Sequence, residues 1–174
     1  MEKRRGQIWI ETVIYTLIGL ALIALVLSYV MPKINEMKDN ALVEQSVSAM
    51  ESLHDKIGTI RNKPGSTKVV EFTLKKGELL IDSTNNSISL FISDLSAPYS
   101  EPGVEVEIGS TKIVTIQNQK AYDVNIKISY PALNLTFNGV DSFKKIDSSS
   151  APYKFAFSNK GSVNGKYNVD IKQV

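Results

Sequence analysis

The stretch that decides the fold is TVIYTLIGLALIALVLSYVM, which runs from Thr12 to Met31. It contains no charged residue, no Asn and no Gln. A helix of this length spans roughly 30 Å, which is the thickness of the hydrocarbon core of a bilayer. We therefore expect an apolar helix that crosses a membrane or is covered on all sides by other helices.

The residues on the two sides of this stretch set its orientation. Lys3, Arg4 and Arg5 precede it, whereas the sequence that follows is mixed in charge. Because cytoplasmic flanks carry an excess of basic residues, we expect residues 1–6 inside the cell and the bulk of the chain outside. A removable secretory signal fits less well, since its apolar part is usually about 7–15 residues long.

One carboxylate, Glu11, stands immediately before the apolar stretch. Insertion of the worst ionisable groups at mid-membrane costs about 2.5–3.5 kcal/mol, so a carboxylate this close to the hydrocarbon requires compensation. Two interpretations follow. Glu11 either reaches the lipid headgroups of a permanently anchored chain or meets a positive charge on another chain.

The N-terminus resembles that of archaeal type IV pilins with a class III signal peptide. Precursors in that family have a short basic leader ending in Gly, a cleavage motif that begins with Gln, a glutamate at the fifth mature position and a retained apolar segment. Gly6, Gln7 and Glu11 match these positions, and the match covers about residues 1–35. Trp9 and Tyr15 depart from it, because a small residue and Leu are common there.

The resemblance implies a structural subunit of a surface filament with a role in adhesion. The implied partners are a prepilin peptidase that cleaves between Gly6 and Gln7, an assembly ATPase with its platform membrane protein, membrane lipid before assembly, and other copies of the chain. The precursor would lie in the cell membrane and the filament on the cell surface. Two alternatives stay open: a minor pilin or pseudopilin, and an uncleaved single-pass surface protein whose β head binds a partner.

Cleavage after Gly6 would change the charge at the N-terminus. It removes three of the 20 basic and one of the 18 acidic residues, which leaves a formally neutral chain. It also creates an α-amine on Gln7, with an ordinary pKa of about 7.7–8.0, one helical turn from Glu11. If parallel helices are staggered by about a turn, this amine meets Glu11 of a neighbour. We expect the pair to select one register, because an unpaired buried charge is costly.

Beyond the apolar stretch the helical period continues. Pro32 lacks a backbone N–H and crowds the carbonyl four residues earlier, so it predicts a kink or a short break. The spacing then predicts an amphipathic helix over residues 32–63 that ends before Pro64 and Gly65. Its apolar stripe consists of Ile34, Met37, Ala41, Val43, Val47, Met50, Leu53 or His54, Ile57 and Ile60.

From residue 64 the period changes to two, which is typical of strands with one buried face. Turn signals such as Asn138-Gly139 and Asn164-Gly165 separate the strands. We predict an α+β fold in which the long N-terminal helix is followed by an antiparallel β-sandwich head over residues 64–174. The predicted strands are 69–74, 78–82, 87–93, 104–108, 112–117, 122–130, 133–137, 153–158 and 167–172.

The composition points away from catalysis and from nucleic acid. There is no cysteine, His54 is the single histidine and the net charge is +2. These values disfavour thiolate metal sites, triad catalysis and nucleic-acid binding, so we expect no cofactor, no metal and no enzyme. His54 is expected at the edge of the apolar stripe.

Glu105 and Glu107 are the strongest candidate for a site on the head. They are expected to share one face of a strand whose Val104, Val106 and Ile108 point the other way. With Glu101 nearby they would bind a cation weakly, while a solvated strand face is the favoured explanation.

Two sequons, Asn85-Asn86-Ser87 and Asn134-Leu135-Thr136, make Asn85 and Asn134 candidate N-glycosylation sites in an exported protein. Such sequons also arise by chance in an Asn- and Ser-rich sequence. Tyr153, Phe155 and Phe157 share one strand face, and we interpret them as core rather than as an exposed adhesive patch.

Overall fold

The computed structural model describes the backbone of residues 3–174 and the side chains of residues 9–174. One long helix, α1 (Lys3–Arg61), is followed by a β-rich head, which confirms the predicted α+β class. The strands are β1 (Thr67–Phe72), β2 (Glu78–Asp82), β3 (Ser87–Leu95), β4 (Glu105–Ile108), β5 (Thr111–Gln117), β6 (Tyr122–Ser129), β7 (Leu133–Phe137), β8 (Phe143–Asp147), β9 (Tyr153–Val163) and β10 (Lys166–Gln173).

Contacts divide the chain into two compact units, Met1–Lys38 and Asp39–Val174. The first contains the apolar stretch. The second contains the last part of α1 together with all of the described strands. Residues 39–61 of the helix therefore belong structurally with the head.

The helix passes through Pro32 without interruption, because the residues on both sides of the proline are helical. The alternative of a short break is thus wrong, and a kink at Pro32 stays a prediction. The helix ends at Arg61, just before the predicted stop at Pro64 and Gly65. Gly65 has φ +79°, a left-handed conformation that glycine adopts without a steric penalty.

The strands form two sheets. The six-stranded sheet has the order β4-β5-β6-β3-β2-β8 and is antiparallel throughout. The four-stranded sheet has the order β1-β9-β10-β7, and its β7–β10 pair is parallel. The head is therefore a mixed rather than a wholly antiparallel structure.

Two features of the head differ from the sequence prediction. Strand β8 was not predicted, because its sequence FKKID is charged and only Ile146 is buried. It is an edge strand with β2 as its sheet neighbour, so it needs little apolar signal. The parallel β7–β10 pair joins strands far apart in sequence, and no local turn signal indicates such a pairing.

The core of the Asp39–Val174 unit is built from the helix and both sheets. Ile34 and Met37, which the periodicity places on the same stripe, are exposed, so the covered part of the stripe begins later. The helix contributes Val43, Val47, Met50, Leu53, Ile57 and Ile60 to the core, all of them buried.

Candidate functional site

Residues 9–31 of α1 are exposed in the part of the chain that the structure describes. Every side chain from Trp9 to Met31 is exposed, and Gly19 is the one position of intermediate exposure. The exposed fraction reaches 74% at Trp9 and at Tyr29. This segment is long and apolar enough to cross a membrane. A soluble monomer rarely exposes a continuous apolar patch of more than a few hundred Å², so the segment is a candidate membrane anchor.

Two hydroxyl groups inside this segment are paired with carbonyls of their own helix. The Thr16 hydroxyl donates to the Thr12 carbonyl at 2.7 Å, and the Ser28 hydroxyl donates to the Leu25 carbonyl at 2.7 Å. Such bonds allow Ser and Thr to enter an apolar environment without an unpaired hydroxyl. Thr16 and Ser28 are therefore compatible with lipid, or with packing against other helices.

Glu11 lies exposed at the start of the apolar segment. The leader residues Lys3, Arg4 and Arg5 and the cleavage pair Gly6 and Gln7 lie outside the residues whose side chains the structure describes. Cleavage between Gly6 and Gln7, and registration through the Gln7 amine and Glu11, therefore stay predictions.

The later part of α1, by contrast, is fastened to the strands by polar side chains. Near its start, an oxygen of Asp39 accepts hydrogen bonds from the Ser96 amide at 2.7 Å and the Ser96 hydroxyl at 2.5 Å. In its middle, Glu51 accepts a hydrogen bond from the Ser110 amide at 2.9 Å and another from the Thr111 hydroxyl. Hydrogen bonds to a charged acceptor contribute about 1.5–3 kcal/mol each, so these contacts fix the helix against the head.

The C-terminus of the helix is capped by a residue nearly a hundred positions away in sequence. The side-chain amide of Asn159 donates to the carbonyls of Ile60 and Arg61 at 2.8 and 2.7 Å. Its oxygen accepts from the Gly161 amide at 2.7 Å. Asn159 is buried, and in this way it satisfies two of the carbonyls that every helix leaves unpaired at its end.

His54 is half-buried, as its place at the stripe edge predicted. Its Nε2 lies 3.2 Å from the Ser110 hydroxyl, and its ring stacks on Tyr130 with a centroid distance of 5.6 Å. Hydrolytic serine–histidine pairs have a third group that orients the second ring nitrogen. Among the described residues, no hydrogen-bond partner reaches His54 Nδ1.

Lys112 occupies the space between Glu105 and Glu107. Its ammonium lies 2.5 Å from a Glu105 oxygen and 3.1 Å from a Glu107 oxygen. The hydrogen bond to Glu105 is the main cause that raises the pKa of Lys112. A cation would have to displace this lysine, and within residues 9–174 no group of three acidic or histidine side chains is arranged for a metal.

The apolar residues around β4 are only partly covered. Val104 and Ile108 are 44% and 39% exposed. Strand β4 is an edge strand of the six-stranded sheet, and Val106 is its one half-buried residue, so its faces are poorly covered.

The two sequons lie in different environments. Asn85 is exposed in the turn between β2 and β3, where its side-chain amide donates to Asp82 at 2.7 Å. Asn134 is half-buried in β7, and the hydroxyl of its sequon residue Thr136 donates to the buried Asp170 at 2.9 Å. Glycosylation stays a prediction at both positions, and Asn85 is the more accessible of the two.

Core packing is confirmed for the aromatic strand face. Phe155 and Phe157 are buried, while Tyr153 is half-buried and donates its hydroxyl to the Asp147 carbonyl at 2.8 Å. Asn159 follows at the next inward position of β9. A polar residue that continues an apolar alternation is a signal that could have identified the helix cap.

A comparison with protein family models, curated proteins and solved structures finds no match. The resemblance to archaeal pilins is therefore carried by the motif around Gly6, Gln7 and Glu11 and by the apolar segment behind it.

Proposed function

We propose that this protein is a structural subunit of an archaeal type IV pilus-like surface filament with a role in adhesion. The precursor inserts in the membrane, a prepilin peptidase cleaves it between Gly6 and Gln7, and the subunit polymerises through its apolar helix. The observation that carries the proposal is the uncovered segment of residues 9–31, with Glu11 at its start.

Residues 9–31 expose apolar side chains on all sides of the helix. An anchor that stays in lipid needs apolar residues on all sides, and so does a helix at the centre of a polymer. A short basic leader in front and a separate folded head behind allow the same helix to serve in lipid first and in a polymer afterwards. The assembly ATPase and its platform protein would supply the work of extraction.

Glu11 lies exposed at the start of the apolar segment. A carboxylate at the edge of the hydrocarbon has a cost in a permanent anchor and gains a partner in a polymer. Once the leader is removed, the Gln7 amine of one subunit neutralises Glu11 of the next. Because a mispaired register would leave both charges unpaired, the pair selects one stagger between neighbouring helices.

Mass analysis of the N-terminus of the native protein tests the proposal most directly. We expect a chain that begins at Gln7. An intact N-terminus that retains Lys3 and Arg4 in the surface-exposed protein would contradict it and would favour the uncleaved membrane-anchored alternative.

A second experiment separates registration from processing. Glu11→Ala and Glu11→Gln should be cleaved normally but should enter filaments poorly, measured as the ratio of filament-bound to membrane-bound subunit. Glu36→Ala is the matched control, because Glu36 lies on the same helix and pairs with Lys33 at 2.7 Å instead. Normal filament yield from both Glu11 variants would refute the registration role.

A further inference from the structure

The six-stranded sheet ends in two edge strands of opposite charge. Strand β4 carries Glu105 and Glu107 and no basic residue. Strand β8 carries Lys144 and Lys145 against one acidic residue, Asp147. Each has one sheet neighbour, β5 for β4 and β2 for β8, and no described strand lies on its other side. An unpaired strand edge is a template for a strand of another chain.

Exposed apolar side chains accompany these charges. Phe143 of β8 is 63% exposed, and Val104 and Ile108 at the two ends of β4 are also exposed. A further strand beside either edge would cover part of this apolar surface. Both edges therefore have unpaired backbone groups and apolar area that a second chain would bury.

The charges decide which edges can meet. Charged side chains at an edge normally discourage pairing. Two β4 edges would set glutamates against each other, and two β8 edges would set lysines against each other, which is unfavourable for residues directly opposite. Contact between β4 of one copy and β8 of another sets opposite charges together. Such a contact joins two different surfaces, so it repeats from copy to copy instead of closing a symmetric dimer.

The number of strands determines how the next copy is oriented. All neighbours in the six-stranded sheet are antiparallel, so β4 and β8 run in opposite directions. A β4 that adds antiparallel to β8 therefore runs in the same direction as the first β4. Residues 39–61 of α1 then also point the same way in both heads. In the four-stranded sheet the edges β1 and β7 run in the same direction, so antiparallel pairing there would reverse the next copy.

The exposed charges also select a register between the two edges. Glu105 and Lys145 are the central charged residues, with side chains 48% and 49% exposed. Glu105 already lies 2.5 Å from Lys112 of β5, and Lys145 lies 2.6 Å from Glu78 of β2. If Glu105 lies opposite Lys145 of the next copy, these two ion pairs join into one row of alternating charge across four strands.

We propose that β4 of one copy pairs antiparallel with β8 of a second copy, with Glu105 opposite Lys145, so that the six-stranded sheet continues from head to head. The Asp147 carbonyl, which already accepts from the Tyr153 hydroxyl, lies beyond the paired residues. The inference deepens the proposed function and depends on it for its setting, because strands of four and five residues are too short to associate from dilute solution. Heads held side by side by a membrane or a polymer reach effective concentrations in about the millimolar range.

Disulfide cross-linking tests this pairing, because the chain has no cysteine of its own. Ile108 and Ser142 would lie opposite each other, and neither is charged; the Ser142 carbonyl accepts from the Ser83 amide at 3.1 Å, so the β2–β8 ladder extends to Ser142. Opposite residues have Cα atoms about 4.5–5.5 Å apart, within reach of a disulfide. The full-length chain with Ile108→Cys and Ser142→Cys, in phosphatidylcholine vesicles at high protein density, should give dimers and longer multimers on a non-reducing gel after oxidation.

Two controls fix the register and the choice of edge. Ile108→Cys with Phe143→Cys moves one thiol to the opposite face of β8 and should cross-link about 3-fold less or worse. Ile108→Cys alone should stay monomeric. A dimer from this single variant would show that β4 meets β4, which contradicts the proposal.

Charge reversal separates contact between chains from contact within one. In the cysteine-pair background, Glu105→Lys and Lys145→Glu should each lower the cross-linked fraction about 3-fold or more, because like charges then lie opposite. The two changes together should restore it to within about 2-fold of the starting chain. Within one chain the double change breaks the ion pairs with both Lys112 and Glu78, so only a contact between chains explains recovery.

The proposal fails if the Ile108–Ser142 cysteine pair gives no multimers, if the Ile108–Phe143 pair gives as many, or if the double reversal does not recover. If the doubly reversed chain does not fold, the comparison of the two cysteine pairs still decides. Multimers from a chain that keeps its N-terminus in the cell would contradict the filament proposal and leave the strand pairing standing. Filaments of a chain that begins at Gln7, without cross-links, would contradict the strand pairing alone.

Discussion

Two segments of one helix, the apolar residues 9–31 and the amphipathic residues 39–61, differ in what covers them. The first exposes apolar side chains all round, whereas the second buries one stripe from Val43 to Ile60. The second also has polar tethers to the head through Asp39, Glu51 and Asn159. The spacing of the apolar residues along a helix indicates how much of its surface must be covered. Whether the cover lies in the same chain is a separate question.

Truncation of one leucine in each segment should give the largest difference. Leu53 is 1% exposed, so Leu53→Ala should destabilise the head by about 2–5 kcal/mol through lost burial and a cavity. Leu27, 47% exposed, has no cover to lose, and Leu27→Ala should change head stability by less than about 0.5 kcal/mol. Urea unfolding followed by the β-sheet circular dichroism signal measures both. Equal effects would remove the distinction between the segments.

Loss of the helix cap should have the next largest effect. Asn159→Ala removes the donor to the Arg61 carbonyl and one donor to the Ile60 carbonyl, which keeps the Lys63 amide at 3.0 Å. We expect a cost of about 1–3 kcal/mol in the free energy of unfolding. Asn159→Asp keeps the acceptor for Gly161 but loses the donor, so it should cost at least as much. The exposed Asn62→Ala is the matched control, with an expected change within about 0.5 kcal/mol. If Asn159→Ala behaves like Asn62→Ala, the cap is not what holds the helix end.

Two glycines with similar backbone conformation allow a test of how much the hydrogen bonds of Glu51 contribute to the stability of the head. Gly103 and Gly109 have φ +80° and +60°, so an alanine at either position has comparable backbone strain. A Cβ at Gly103 meets nothing within 4 Å, whereas one at Gly109 would lie 2.9 Å from a Glu51 oxygen. Gly109→Ala should therefore be less stable than Gly103→Ala by about 1 kcal/mol, because Glu51 must move away from its donors. Thermal unfolding of the two variants side by side measures the difference, and identical melting temperatures would contradict it.

The smallest expected effect is a pH dependence that belongs to the head alone. The hydrogen bond from the Asn85 side chain is the main cause that lowers the pKa of Asp82. A lowered pKa in the folded state stabilises the head above the unfolded pKa of about 3.9, and this contribution is lost as the pH falls through the folded value.

The difference in free energy of unfolding between Asp82→Asn and the wild type should therefore become smaller as the pH is lowered below about 4. Urea midpoints at several pH values measure this difference. The helical signal of residues 9–31 in lipid should be unaffected in the same series. A difference that stays constant with pH would show that Asp82 does not contribute in this way.

Much of the head was predictable because its signals are local. Alternation identified most strands to within a few residues, and Asn138-Gly139 and Asn164-Gly165 adopt the left-handed conformations that tight hairpin turns require. Strand β8 was not predicted because an exposed edge strand needs no alternation of apolar and polar residues. The parallel β7–β10 pair was not predicted because no turn links its two strands. The exposure of Val104 and Ile108 was not predicted either, because the place of a strand within its sheet cannot be read from the sequence of that strand alone.

The candidate sites divide in the same way. Glu11 and the apolar segment could be identified from the sequence because charge and hydropathy are properties of the individual residues. The tethers of Asp39, Glu51 and Asn159 were not, because each joins residues tens of positions apart. Lys112 between Glu105 and Glu107 comes from the neighbouring strand, which the spacing of the two glutamates does not reveal.

The sequence by itself determined that residues 12–31 form an apolar helix, that an amphipathic helix follows it and that the rest is β-structure. Those properties depend on the residue types and their period, which are local. The tertiary structure decided where the cover of α1 begins, which side chains fasten it and that β4 and β8 are the two edges of one sheet. Those properties depend on contacts between residues that are distant in sequence, and such contacts form only in the folded chain.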